Sequence, residues 1–342
     1  MTHPRRAWSP APLACLLALL LIPGLCLAAP AAPDAPGGDE AMGFFLAPQI
    51  KRFLRSHTSY QFGDPEQANL NPLSRLEFPL NSWWAGVNLG LKGPRTSLEL
   101  ELLAGLPDQD DLGVVRDSDW EDPNRPKLRT TYSETTTKLK ESFTLDAKVT
   151  HGVGDKLGLP AWLDLKPLLG VRWQHFVFTG GPGVQQSMVY QGGQPTYDQW
   201  EYYSLPQDTF WFRQEYLHAY FGAQVCLDLG RLGLGRPGGG WRASLQADLA
   251  HVWGENRDRH LLRGERKTEE RTQGYAWHTG LSLRAPLWDR GALVASGDYL
   301  IIRTSGEHRW TQPEEGVDET WDYGVEVWSR QMSWSLALEI DF

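Results

Sequence analysis

Apolar and polar residues alternate over long stretches of this sequence, and that period of two restricts the fold more than any other feature. In residues 328–342, large and mostly apolar side chains occupy one set of alternate positions, while Ser, Gln, Glu and Asp are concentrated on the other. Successive residues of a β-strand point to opposite faces, so this pattern predicts a strand with one apolar and one polar face. Ten segments show it: residues 44–62, 73–91, 96–105, 138–151, 161–178, 209–229, 241–253, 271–285, 292–303 and 323–342. The fold is therefore predicted to be all-β.

The connections between these segments alternate in length, which distinguishes two all-β architectures. Four are short (92–95, 152–160, 230–240 and 286–291), and the five between them are mostly long and polar (63–72, 106–137, 179–208, 254–270 and 304–322). A soluble β-sandwich is the alternative, but its strands are usually shorter and its dry core would not accept Glu99, Asp146 or Asp248 cheaply. An even number of long strands with short turns at one end is typical of outer-membrane barrels. We therefore predict a ten-stranded antiparallel transmembrane β-barrel with long extracellular loops.

The composition excludes several other classes of protein. A mean hydropathy of −0.42 argues against a bundle of membrane helices. The formal charge of −9 argues against a nucleic-acid-binding protein that works through a basic face. The 16 Trp, 11 Tyr and 12 Phe argue against disorder. Trp residues lie near the ends of several segments, where a barrel needs an interfacial girdle.

The N-terminal residues have the pattern of an export signal. Arg5 and Arg6 precede an apolar run at 13–27, and the small residues Ala28 and Ala29 follow it. A membrane anchor would need a longer apolar run. We predict a signal peptide at 1–28, a flexible leader at 29–41 and the barrel at 42–342. Export to the bacterial outer membrane would leave Cys226 as the remaining cysteine, with a structural role.

Two of the long connections carry titratable residues at a spacing that suggests chemistry. In an extended chain Asp117 and Asp119 point to the same face, and so do Asp258 and His260. A carboxylate that orients a His makes a general base, and two close carboxylates can hold a water or share a proton. Solvated surface acids are the alternative interpretation.

These motifs, taken with the export signal and the strand count, resemble the omptin family of outer-membrane proteases. The similarity includes residues 73–78 with Asn81, residues 117–122, Trp173-Gln174 with Phe178-Thr179, residues 258–260 and the terminal Phe342. The resemblance implies that Asp258 orients His260, which takes a proton from a water. It also implies that Asp117 and Asp119 help to position that water, without a metal or a covalent intermediate. Lipopolysaccharide is implied as an activating lipid and a peptide or protein as the substrate, with the site facing the exterior. We expect a monomer.

The sequence departs from the omptin pattern in three places. Residues 129–136 lack the His and Pro expected after Trp120, and a second family signature is shortened at 173–176. The pocket that accepts a basic residue in this family uses two acids, and the matching positions here are Gln61 and Asn256, both neutral. Cleavage between basic residues is therefore not expected from the resemblance alone.

Two other functions are compatible with the sequence. One is a non-catalytic outer-membrane barrel, an adhesin or a structural protein that kept the acids by descent. The other is a lipid-modifying barrel enzyme, whose site would lie on the lipid-facing wall. The protease interpretation requires the Asp117/Asp119 and Asp258/His260 pairs to face each other across a water-accessible cleft.

Overall fold

The computed structural model describes residues 42–342 except 65–68, 108, 110–111, 193, 235–239 and 263–265. The predicted signal peptide at 1–28 and leader at 29–41 lie outside the described residues. Within the described ranges no helix is long and apolar enough to cross a membrane.

The described chain is built almost entirely of β-strands, joined by turns and one 3₁₀ turn at Pro313–Glu315. The strands are β1 (Gly43–Phe53), β2 (His57–Phe62), β3 (Ser74–Pro79), β4 (Trp83–Lys92), β5 (Thr96–Gly105), β6 (Val114–Asp119), β7 (Thr131–Leu139), β8 (Phe143–His151), β9 (Leu163–Gln191), β10 (Gln194–Leu205), β11 (Phe210–Asp228), β12 (Arg242–His260), β13 (Arg266–Trp288), β14 (Gly291–Gln312) and β15 (Val317–Asp341).

These strands form ten antiparallel wall strands that close into a barrel. Wall strands 1 to 4 are each interrupted and consist of β1 with β2, β3 with β4, β5 with β6, and β7 with β8. Wall strands 5 to 10 are β9, β11, β12, β13, β14 and β15. The barrel closes because β15 pairs with both β1 and β2. The remaining strand, β10, pairs with the far end of β9. The prediction of a ten-stranded antiparallel barrel is confirmed.

The wall strands are longer at the loop end than the sequence indicated. Residues 106–137 were predicted to be a loop, but they contain β6 and β7. Most of residues 254–270 belongs to β12 and β13, which pair up to His260 and Arg266. This part of the prediction was wrong because both faces are polar there, so no apolar alternation marks the strands.

The outer surface carries a band of apolar side chains in the middle of the wall strands. Leu169, Phe221, Leu249 and Leu281 each expose about 57–62% of their surface. Such a band is the surface that a barrel turns to lipid. Aromatic residues border it as predicted, for example Trp253 at 43% and Trp288 at 51% exposure. Trp84 does not belong to this border, because it points inward and is fully buried.

Aromatic side chains divide the lumen into two halves. Phe78 stacks on Phe212 with a ring-centroid distance of 4.0 Å, and Phe178 and Phe210 lie 5.4 and 5.6 Å from Phe78. We call these four rings the aromatic layer. The lower lumen, at the end with short turns, contains a cavity of about 720 Å³ lined by charged side chains. The upper lumen, at the end with long hairpins, contains the predicted site residues.

Candidate functional site

Asp258 and His260 lie at the upper end of β12 on its lumen face. Alternate residues of β12 point inward, and Val252, Asn256 and Asp258 are each at most 2% exposed. His260 Nε2 is 3.0 Å from Asp258 Oδ2. The side chain of Asp258 has no exposed surface, while that of His260 is 15% exposed. The carboxylate is therefore enclosed, and the imidazole reaches toward the open end of the lumen.

Tyr60, on β2, also contacts this carboxylate. Its hydroxyl donates a hydrogen bond of 2.7 Å to Asp258 Oδ2, and its ring lies 5.5 Å from that of Phe212. Tyr60 has no local signal in the sequence, because 198 residues separate it from Asp258 and only barrel closure brings them together.

The surroundings of Asp258 favour its ionised form. Burial alone would raise its pKa, but the charge of His260 and hydrogen bonds from His260 and Tyr60 hold the pKa of Asp258 below its ordinary value. Burial and the charges of Asp258 and Glu270 raise the pKa of Tyr60 well above its ordinary value. Tyr60 is therefore a neutral donor to a charged acceptor, the stronger kind of hydrogen bond.

Asp117 and Asp119 lie on β6, also on the lumen face. Asp117 is opposite Leu76 and Asp119 is opposite Ser74 on β3, and both of these residues point into the lumen. Asp119 is only 6% exposed. Since β6 belongs to wall strand 3 and β12 is wall strand 7 of ten, the two acidic pairs lie on nearly opposite walls.

One cross-strand row connects the aspartates with Tyr60. Tyr60 is opposite Leu76, and Leu76 is opposite Asp117. The backbones of Tyr60 and Asp117 are thus two strand spacings apart, roughly 10 Å. The hydroxyl of Tyr60 contacts Asp258, so Tyr60 lies between the two acidic pairs, two strands from Asp117 and in contact with Asp258.

The two residues predicted to bind substrate have different positions. Asn256 is 2% exposed on the lumen face of β12, and its Nδ2 makes no hydrogen bond to the described residues. Gln61 lies between the inward-pointing Tyr60 and Phe62, so strand alternation turns it to the outer face. There Gln61 accepts hydrogen bonds from Arg75 and donates one to Glu326. Gln61 is therefore not part of the lumen cluster with Asn256.

A second carboxylate and imidazole, not identified from the sequence, lie beside the first pair. Glu270 on β13 and His308 on β14 are directly opposite each other and fully buried. His308 Nδ1 is 2.9 Å from Glu270 Oε1. Their separation in sequence, 38 residues, gave no local signal. Among the described residues, no group of three or more His, Cys, Asp or Glu side chains is arranged to hold a metal ion.

Comparisons with known proteins support the fold. No protein-family model matches the chain, and no curated protein sequence matches it. Among solved structures, the outer membrane protease OmpT from Escherichia coli matches with a TM-score of 0.72 and 13% identity over 91% of this chain and all of OmpT. The translocator domain of the autotransporter NalP from Neisseria meningitidis and OprG from Pseudomonas aeruginosa match with TM-scores of 0.32 and 0.31. They are 12% and 10% identical, cover 97% and 88% of this chain and align over 97% and 96% of their own lengths. At these identities the comparisons show a fold, and that fold is an omptin-like barrel.

Proposed function

We propose that this chain is an outer-membrane endopeptidase whose site lies at the outward-facing mouth of the barrel. The observation that carries the proposal is the buried Asp258 carboxylate, which contacts His260 and Tyr60 at the upper end of the lumen. The aspartates of β6 on the facing wall support it. The likeness to an outer membrane protease agrees with this proposal.

The geometry suggests how the residues would share the reaction. Asp258 binds His260 through Nε2, which leaves Nδ1 as the ring atom that takes a proton from water. The water oxygen attacks the peptide carbonyl carbon, and the resulting oxyanion collapses as the C–N bond breaks. The proton held by His260 then passes to the leaving amine. Asp117 and Asp119 would orient the water from the opposite wall.

The direction of the side chains favours a peptidase over a lipid-modifying enzyme. Asp119 and Asp258 are nearly fully buried on the lumen face, and both lie above the apolar outer band. A lipid-modifying site would need these groups on the wall that faces the membrane. We further propose that lipopolysaccharide activates the enzyme, as in the family that the sequence resembles.

A digestion of an unbiased peptide library by the refolded protein tests the proposal. We expect cleavage products in the presence of lipopolysaccharide. The His260→Ala variant is expected to lose this activity while keeping the heat-resistant migration of a folded barrel on gels. A His260→Ala protein with full activity would contradict the mechanism. The absence of products from the folded wild-type protein would favour a non-catalytic barrel.

A further inference from the structure

The Glu270–His308 pair lies close enough to Asp258 to affect its charge. Thr268 is directly opposite Asp258, and Glu270, two residues further along β13, is opposite Asn256. Glu270 is therefore a diagonal neighbour of Asp258 on the same face, at a backbone distance of roughly 7–8 Å. The charge of Asp258 is accordingly one of the causes, after burial, that raise the pKa of Glu270.

His308 is held so that it can compensate Glu270. Its ring lies 4.4 Å from that of Phe62 and 5.1 Å from that of Trp321, and these two rings are 6.2 Å apart. Both ring contacts and the hydrogen bond to Glu270 fix the imidazole in one orientation. Glu270 Oε2 and His308 Nε2 make no hydrogen bonds to the described residues, so the contact between Nδ1 and Oε1 links the pair.

We propose that Glu270 and His308 share one proton and act as positioning residues, keeping the second carboxylate of the upper lumen neutralised so that Asp258 retains the charge that orients His260. This inference rests on the proposed function, because the role of the pair is to keep His260 oriented for catalysis. The titration that tests it does not require catalytic activity. Neither residue touches the substrate in this arrangement. The pair sets the net charge beside the reacting groups.

The charged and titratable groups around Glu270 come from several strands. Asp258 faces it from β12, Tyr60 from β2 and His308 from β14, while His260 and Arg266 act on the Asp258 carboxylate. Burial raises the pKa of Glu270, while the hydrogen bond and charge of His308 oppose that shift. A neutral pair agrees with both effects.

The test compares three variants of the refolded full-length barrel: Glu270→Gln, His308→Gln and the double variant. The titration of His260 is followed by NMR of the histidine-labelled protein, with the His260 signal assigned by difference from His260→Ala. In His308→Gln, Glu270 has no cation beside it once the pH exceeds its raised pKa, so it adds a net charge there and we expect the pKa of His260 to rise by up to about one unit. In Glu270→Gln and in the double variant no net charge is added, so His260 should titrate as in the wild-type protein.

Other outcomes overturn the inference. If Glu270→Gln lowers the pKa of His260 while His308→Gln leaves it unchanged, the pair is negatively charged rather than neutral. If all three variants leave the titration unchanged, the pair has only a packing role. The Glu270→Gln and double variants keep the test valid if His308→Gln does not fold. Because the readout is a titration, the result stands even if the wild-type protein cleaves no peptide.

Discussion

Below the aromatic layer the charged side chains of the lumen bind one another, whereas above it several buried polar atoms have no partner among the described residues. In the lower lumen, Arg172 contacts Asp146 at 2.6 Å, and Lys51 contacts both Glu101 and Asp298. In the upper lumen the atoms without hydrogen bonds to the described residues include Asn256 Nδ2, Asp258 Oδ1, Glu270 Oε2 and His308 Nε2.

This difference separates a structural network from a candidate site. Buried polar groups in a folded protein normally have hydrogen-bond partners. A cluster of buried groups with incomplete hydrogen bonding is therefore a candidate functional site. His218 and Asn88 are exceptions in the lower lumen, since both ring nitrogens of His218 and Oδ1 of Asn88 make no hydrogen bond to the described residues. The charged side chains around them are paired, so these two residues do not make a second site.

The largest expected difference between the two halves of the lumen concerns two aspartates of β12. Asp258 contacts His260 in the upper lumen, and Asp248 contacts His278 in the lower lumen at 2.7 Å. We expect Asp258→Asn to reduce the rate of peptide hydrolysis by roughly 10³-fold, because the imidazole loses its orienting charge. Asp248→Asn should cost about 1–2 kcal/mol of stability through its weakened hydrogen bonds and leave hydrolysis unchanged.

Initial rates on a peptide selected from the library and urea-unfolding midpoints measure both effects. The comparison fails if Asp248→Asn also removes activity from a fully folded barrel. It fails equally if Asp258→Asn is as active as the wild-type protein.

A second prediction concerns the stability of the lower network. Arg172 is 9% exposed, and its Nε donates to Asp146 Oδ2. Arg172→Met leaves the partly buried Asp146 carboxylate with the hydroxyl of Tyr220 but without its cation, and we expect the free energy of unfolding to fall by about 2–3 kcal/mol. The hydrolysis rate per folded molecule should not change. The double variant Arg172→Met/Asp146→Asn is the control and should recover part of the loss. A large loss of activity in a folded Arg172→Met barrel would show that the two halves are coupled.

The alternation in the sequence was sufficient to predict the barrel, since lipid on one side and polar groups on the other impose it on every wall strand in the apolar band. At the loop end the alternation disappears, because β6, β7 and the upper part of β12 are polar on both faces. These segments were therefore predicted to be loops. The close pair Asp258 and His260 followed from a spacing of two residues in an extended chain. Tyr60, Glu270 and His308 did not, because their contacts depend on strand register and closure.

The third prediction compares the hydroxyl groups of two buried tyrosines, Tyr60 and Tyr216. Tyr60 donates to the Asp258 carboxylate, whereas the hydroxyl of Tyr216 lies 3.3 Å from that of Thr58, a neutral partner. A hydrogen bond to a charged group contributes more than one between neutral groups. We expect Tyr60→Phe to lower kcat by roughly tenfold, the equivalent of about 1.5 kcal/mol, and Tyr216→Phe to leave it nearly unchanged.

The pH dependence of stability shows the direction in which Tyr60→Phe should act. Because the folded pKa of Asp258 lies below its ordinary value, its contribution to stability is present above the unfolded pKa and is lost as the pH falls through the folded pKa. Removing the hydroxyl of Tyr60 takes away one of the groups that hold this pKa down, so the loss begins at a higher pH. The midpoint pH of acid unfolding should therefore move upward in Tyr60→Phe and stay in place in Tyr216→Phe. Equal shifts in both variants would mean that the upper lumen responds to general loosening of the barrel rather than to the charge on Asp258.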